Sequence, residues 1–192
     1  MVDLSHPFLS PLKELSNLLS KTKTEGVVIG GISVGLIGKP RFTADIDAVI
    51  LLNFEQIEAF VKTATAFGFE PRISDVGEFA RKTHVILLVH KKTGINIDLS
   101  IGLLPFEHEI VQRAKKFESA GVSFYIPTPE DLIIMKAVAH RPKDLEDIRM
   151  IVQANPELDR QRIKRWVEDF AQTLEMPEIW KDVEKLLIPV DH

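Results

Sequence analysis

The period of the apolar residues changes at Pro129, and that change limits the folds open to this chain. Before it, short β-branched or alternating runs recur among helical stretches; after it, only helical spacing remains. Leu12, Leu15, Leu18 and Leu19 predict a helix over 11–20. Val27-Val28-Ile29 reads as a buried strand that stops at the Gly30-Gly31 turn. A short helix over 33–37 with Ser33 as its cap, a strand over 46–52 and a helix over 54–67 ending at Gly68 follow. Residues 69–82 read as irregular or weakly stranded. Strands over 84–89 and 95–101 are joined by the hairpin signal Lys91-Lys92-Thr93-Gly94. A helix over 106–119 closed by Gly121 and a strand over 122–126 complete this part. Helices are then expected over 129–139, 143–154, 159–174 and 177–187, the first with Thr128 as cap and Pro129 at its start. The pattern predicts an α+β fold: one mixed domain over 1–127 with a helical region over 128–192 packed on it, rather than two independent domains.

Composition narrows the function classes. The 192 residues are 45% hydrophobic and 27% charged, as in an ordinary globular protein. With no cysteine, a disulfide framework, a zinc–thiolate site and a cysteine nucleophile are excluded, and a reducing compartment is expected. The first ten residues lack a basic-then-apolar leader pattern, and the longest uncharged stretch, Gly26 to Gly38, is too short to span a bilayer. The expectation is a soluble, cytoplasmic protein with no membrane partner. A net charge of −4 removes the strongly basic balance of many nucleic-acid binders. Basic clusters at His90-Lys91-Lys92, at Arg113 with Lys115-Lys116 and at Arg160 to Arg165 read first as solvated surfaces.

The residues with the clearest chemistry are Asp45-Ile46-Asp47 at the head of a strand. Residues two apart in a strand share a face, so both carboxylates point the same way while Ile46, Ala48 and Ile50 point into the core. Paired carboxylates repel unless a cation sits between them, and hard oxygen ligands on a rigid strand suit Mg²⁺. Taken alone, the pair is also the ordinary polar end of a strand. Residues 95–101 alternate, with Asn96, Asp98 and Ser100 on the polar face. Should that strand lie beside the Asp45 strand, three carboxylates converge and two metals about 3.5–4 Å apart can be held. Gly30-Gly31-Ile32-Ser33 forms a strand-to-helix turn where a backbone can approach a phosphate. A Walker A loop fails, since Ser33 stands where its first glycine is needed and Pro40 follows Lys39; the dinucleotide glycine spacing fails as well.

Together these residues resemble a known family. Val28-Ile29-Gly30-Gly31, thirteen residues, then Asp45-Ile46-Asp47 looks like the hGG…DhD signature of polymerase-β-like nucleotidyltransferases. Arg41-Phe42-Thr43-Ala44-Asp45-Ile46-Asp47 is similar to the R-x-S/T-x-D-I/L-D string of the AbiEii-type abortive-infection toxins and their relatives. Pro129 to Lys136 and Arg141 to Ile148 also resemble that branch, so the likeness runs over about residues 26–150. It implies a nucleotidyltransferase fold, a small mixed sheet flanked by helices, and the transfer of a nucleoside monophosphate from a nucleoside triphosphate to an acceptor hydroxyl. The acceptor would be tRNA, a protein or a small molecule, and the partner of a toxin would be an antitoxin protein. Residues 1–127 would form the catalytic domain. Asp45, Asp47 and Asp98 would be the catalytic, Mg²⁺-binding residues. Gly30, Gly31, Ser33, Arg41 and Lys136 would bind the nucleotide. Many members carry serine directly after the first glycine, where this chain has Gly31, so Ser33 either touches phosphate or caps its helix. Arg41 either neutralises phosphate, anchors the loop or pairs with a carboxylate. Lys136 either meets phosphate or is solvated.

Other polar residues carry weaker signals. Asp144 and Asp147 share a helix face with Arg141 nearby, and Asp144 reads best as a residue of the helix cap. The six histidines show no ligand spacing; His84 and His90 read as structural or surface residues, and Trp166 and Trp180 as packing residues. The competing class is a binding or regulatory module that keeps the fold without turnover, because fold alone does not fix activity.

Overall fold

The computed structural model describes residues 6–40 and 42–188. Its Cα packing forms two compact units: residues 1–32 with 42–127, and residues 33–41 with 128–192.

The first unit is built on a five-stranded sheet. Its strands are β1 (Glu25–Ile29), β2 (Asp45–Leu51), β3 (Phe69–Pro71), β4 (Val85–His90) and β5 (Asn96–Ile101), in the order β1-β2-β5-β4-β3. Only β2 and β5 run parallel; the other neighbours are antiparallel. The sheet is therefore mixed, and helices complete the unit: α1 (His6–Thr22), α3 (Ile57–Ala66), α4 (Val76–Thr83) and α5 (Pro105–Arg113). Ile46, Ala48, Ile97 and Leu99 are buried on the central strands, and Leu12, Leu15 and Leu18 place their α1 face in the core.

Two stretches differ in the type of element expected from the sequence. Residues 76–83 form α4, most of it inside the stretch 69–82 expected to be irregular or weakly stranded. Asp75 caps it, accepting a 3.0 Å hydrogen bond from the Glu78 amide. Residues 106–119 do not form one helix: α5 ends at Arg113, and β6 (Lys115–Ser119) pairs with β7 (Val122–Ile126) as a separate two-stranded sheet. Ala120 and Gly121 both have positive φ, the arrangement of a tight I′ hairpin turn, so Gly121 closes a hairpin rather than a helix. Phe117 and Phe124 face each other across that pair with ring centroids 5.4 Å apart. This cross-strand contact is what a purely local reading of 115–119 lacks.

The second unit is helical. It holds α6 (Pro129–Ala139), α7 (Pro142–Ala154), α8 (Arg160–Thr173) and α9 (Glu178–Leu187), together with most of α2 (Gly30–Ile37), which leaves β1 without an intervening loop. Leu132, Ile133, Ile134 and Ala137 are all buried, as befits a helix enclosed on several sides. Thr128 caps α6 as the sequence predicts, accepting from the Asp131 amide at 3.2 Å. Asn155 ties the end of α7 to the end of α2, donating to the Ile37 carbonyl at 3.0 Å. Among the described residues no helix is long and apolar enough to cross a membrane.

Candidate active site

The sheet register brings the acidic residues together. Asp47 lies opposite Asp98 across the parallel β2–β5 pair, and Asp45 lies opposite Asn96. Opposed residues share a sheet face, as do residues two apart in one strand. Asp45, Asp47 and Asp98 therefore occupy one face, while Ile46 and Ile97 are buried on the other. All three carboxylates sit at intermediate exposure. Burial raises the Asp98 carboxyl above its ordinary range; the Arg72 charge opposes this and the Asp45 charge adds to it. Thr43 supports the head of β2, donating its hydroxyl to Asp45 Oδ1 at 3.2 Å.

The glycine turn meets the same acids. Ile29 is registered with Asp47, so Gly30 emerges beside that carboxylate. Its φ is +65°, and a Cβ built there would stand 2.0 Å from Asp47 Oδ2. Glycine is required on both counts. Gly31 follows it in the first turn of α2. Ser33 is not the cap of this helix, because α2 begins at Gly30; Ser33 lies inside it, fully buried.

Arg41 and Lys136 are the remaining expected residues. Arg41 lies outside the described residues. Lys136 is buried in the helical unit rather than solvated, with its Nζ 2.9 Å from Asp144 Oδ1 and 2.8 Å from Asp147 Oδ2. Arg141 adds a contact of 2.5 Å to Asp144, whose Oδ2 also accepts the Arg141 amide at 3.3 Å. Asp144 thus serves the start of α7, as its position suggests, and ties α6 to α7 as well. Burial pushes its carboxyl up, but hydrogen bonds from Arg141 and Lys136 outweigh that and hold it below its ordinary value. His90 is buried and structural, bonded to Glu14 at 2.6 Å and Thr93 at 2.8 Å; His84 is exposed at the end of α4. Trp166 and Trp180 are half-buried.

One participant has no local sequence signal. Arg72, just beyond β3, makes an ion pair with Asp98. It comes from a segment with no motif, and only the sheet order brings it to the acidic face. Thr43 did have a signal, since it is the S/T of the string ending in Asp47.

Carboxylate oxygens on one sheet face suit a hard cation such as Mg²⁺, with neither sulfur nor imidazole required. Among the described residues no three His, Asp or Glu side chains already converge as a ready-made cage. Donor chemistry therefore fits the ion, whereas the carboxylates are not pre-assembled around it.

A family profile described as "nucleotidyltransferase of unknown function (DUF6036)" matches residues 8–184. The chain belongs to this nucleotidyltransferase family. The family assignment and the sheet agree with solved structures at low identity, which support the fold. An antigenic nucleotidyltransferase-like protein from Paracoccidioides brasiliensis is similar with a TM-score of 0.57 and 17% identity, covering 94% of each chain. The antibiotic-resistance factor ANT(2'')-Ia is similar in its solution structure with a TM-score of 0.56 and 15% identity, covering 88% of this chain and 94% of its own. Its complex with adenylyl-2''-tobramycin gives 0.53 and 16%, covering 84% and 95%. No curated protein matches the chain. The fold of this DUF6036 member is thus the nucleotidyltransferase fold, a mixed sheet flanked by helices with a helical carboxyl-terminal part.

Proposed function

We propose that this chain is a metal-dependent enzyme that transfers a nucleoside monophosphate from a nucleoside triphosphate to an acceptor hydroxyl, releasing pyrophosphate. The observation that carries the reading is the Asp47–Asp98 register, with Asp45 on the same face and the Gly30 turn against Asp47. Asp45, Asp47 and Asp98 would hold Mg²⁺, which supplies positive charge to the phosphates and to the developing transition state. The Gly30-Gly31 backbone gives the triphosphate a close approach at the start of α2. Asp98 would complete the metal site nearer the acceptor and help accept the acceptor hydroxyl's proton. Within this reading neither Ser33 nor Lys136 is assigned to the phosphates, since one is enclosed in α2 and the other is committed to two carboxylates.

The acceptor is a tRNA, a protein or a small molecule. ANT(2'')-Ia, seen with adenylyl-2''-tobramycin, offers a precedent for the last. The Arg41–Asp47 string favours an abortive-infection role, with a cytoplasmic toxin restrained by an antitoxin protein. A second reading, a nucleotide-binding or regulatory module without turnover, draws on the Arg72 pair and the lack of a ready-made cage.

Incubation with each labelled triphosphate and Mg²⁺, in the presence of cell extract, separates the two readings. Transfer of label to an acceptor is expected, and Asp47→Asn should lower it about a thousandfold or more while the fold survives. Binding without transfer under every triphosphate would favour the module. Growth arrest on expression, relieved by Asp47→Asn, is the expected outcome for a toxin.

A further inference from the structure

The row of residues across the sheet face runs Asp47, Asp98, Leu87, Arg72. Asp47 is registered with Asp98 and Asp98 with Leu87, and the Arg72 amide donates to the Leu87 carbonyl at 3.0 Å, one step beyond the Pro71–Leu88 pair. Arg72 thus stands on the acidic face two strands from Asp98, a backbone separation of about 10 Å. Its side chain crosses the Leu87 position to reach Asp98 from the side away from β2. A long side chain is drawn across the face to one carboxylate of the candidate ligand set.

We propose that Arg72 is the resident counter-ion of Asp98, holding that carboxylate until a divalent cation arriving with an anionic substrate replaces it, and then turning to the substrate's phosphate charge. The inference rests on the metal-site reading given above. Its first support is charge. Three carboxylates share the face, and Arg72 is the cation paired with the one nearest to it. Its second support is access: the Arg72 and Asp98 side chains are 26% and 34% exposed, so the pair can be exchanged rather than being locked in the core. A pair this exposed adds little stability, so its exchange costs little. The third is consequence. A free cation must displace the guanidinium from Asp98 without offering it another anion, whereas a cation carried by a triphosphate brings that anion with it. Arg72 is then a positioning residue that makes the site prefer the metal–nucleotide complex over the bare metal.

The test uses the full-length protein and Mn²⁺ as the probe, with binding measured by electron paramagnetic resonance in the absence of nucleotide. Arg72→Gln should bind Mn²⁺ about threefold to tenfold more tightly than wild type. At saturating Mn²⁺ the same variant should bind an α,β-methylene nucleoside triphosphate more weakly by a similar factor, measured by calorimetry. Arg72→Lys, which keeps the charge, should fall between Arg72→Gln and wild type in both. Opposite signs for metal and nucleotide are a signature that general loosening of the fold does not produce, and circular dichroism with thermal melting checks that each variant is folded. Should both affinities fall together, or neither change, the Arg72 role is overturned. Asp98→Asn separates this from the parent reading. If Asp98→Asn binds Mn²⁺ as wild type does, the metal site itself is misassigned. If it binds weakly while Arg72→Gln is unchanged, only the counter-ion role fails.

Discussion

Gly30 has two separate reasons to be glycine, and substitutions can separate them. Its φ of +65° disfavours any side chain, and a Cβ there would collide with the Asp47 carboxylate. Gly94 has a similar φ of +72°, yet nothing lies within 4 Å of a Cβ placed on it. Gly94→Ala should therefore cost only the left-handed backbone term, about 1–2 kcal/mol. Gly30→Ala should cost more and should also disturb Asp47. Urea unfolding of both variants, with Mn²⁺ binding measured alongside, gives the comparison. Equal losses in stability with metal binding intact in both would separate Gly30 from the acidic site. Residues of this kind were legible in the chain, because a glycine pair after a β-branched run already marks a turn. That the turn abuts Asp47 was not legible, since the proximity comes from the pairing of β1 with β2.

Among the elements, α6 and α7 are joined by a buried ionic cluster in place of an apolar seam. Lys136 stands between Asp144 and Asp147, and both carboxylates are almost wholly buried. Removing one partner from such a cluster leaves uncompensated charge in a desolvated place. Lys136→Met should accordingly lower stability by about 3–5 kcal/mol at pH 7. The sign of its pH dependence follows from Asp144, whose folded carboxyl lies below its ordinary value. Its contribution is fully present above the unfolded value near pH ~4 and is lost as pH falls through the folded value. The gap between wild type and Lys136→Met should narrow from pH 7 to pH ~3 in urea titrations. A gap that widened in acid would contradict the cluster's role. Sequence periodicity placed both helices well but left Lys136 open between phosphate and solvent, because spacing along one helix does not reveal what a neighbouring helix brings to it.

Over the whole molecule, charge sets what the proposed nucleotide binding would require. The chain carries a net −4, and the acidic face would add three carboxylates to the charge of a triphosphate. Like charges in a partly desolvated site repel strongly, so binding should need divalent cations. Calorimetry with a non-hydrolysable triphosphate should show binding with Mg²⁺ and a loss of about tenfold or more with chelator. Equal affinity in both conditions would remove the carboxylates from the nucleotide site. The sequence by itself determined the alternation that places Asp45 with Asp47 and Asp98 with Ser100, the helix-only character after Pro129, and the caps at Thr128 and Asp144. All of these depend on residues within a few positions of each other, where backbone period and local hydrogen bonds govern. Tertiary structure alone decided that β5 lies parallel beside β2, that 115–119 pairs with β7 instead of extending α5, and that Arg72 meets Asp98. These depend on which distant strands become neighbours, and that is set by burying the apolar faces of the whole sheet, a sum that no local window of the chain contains.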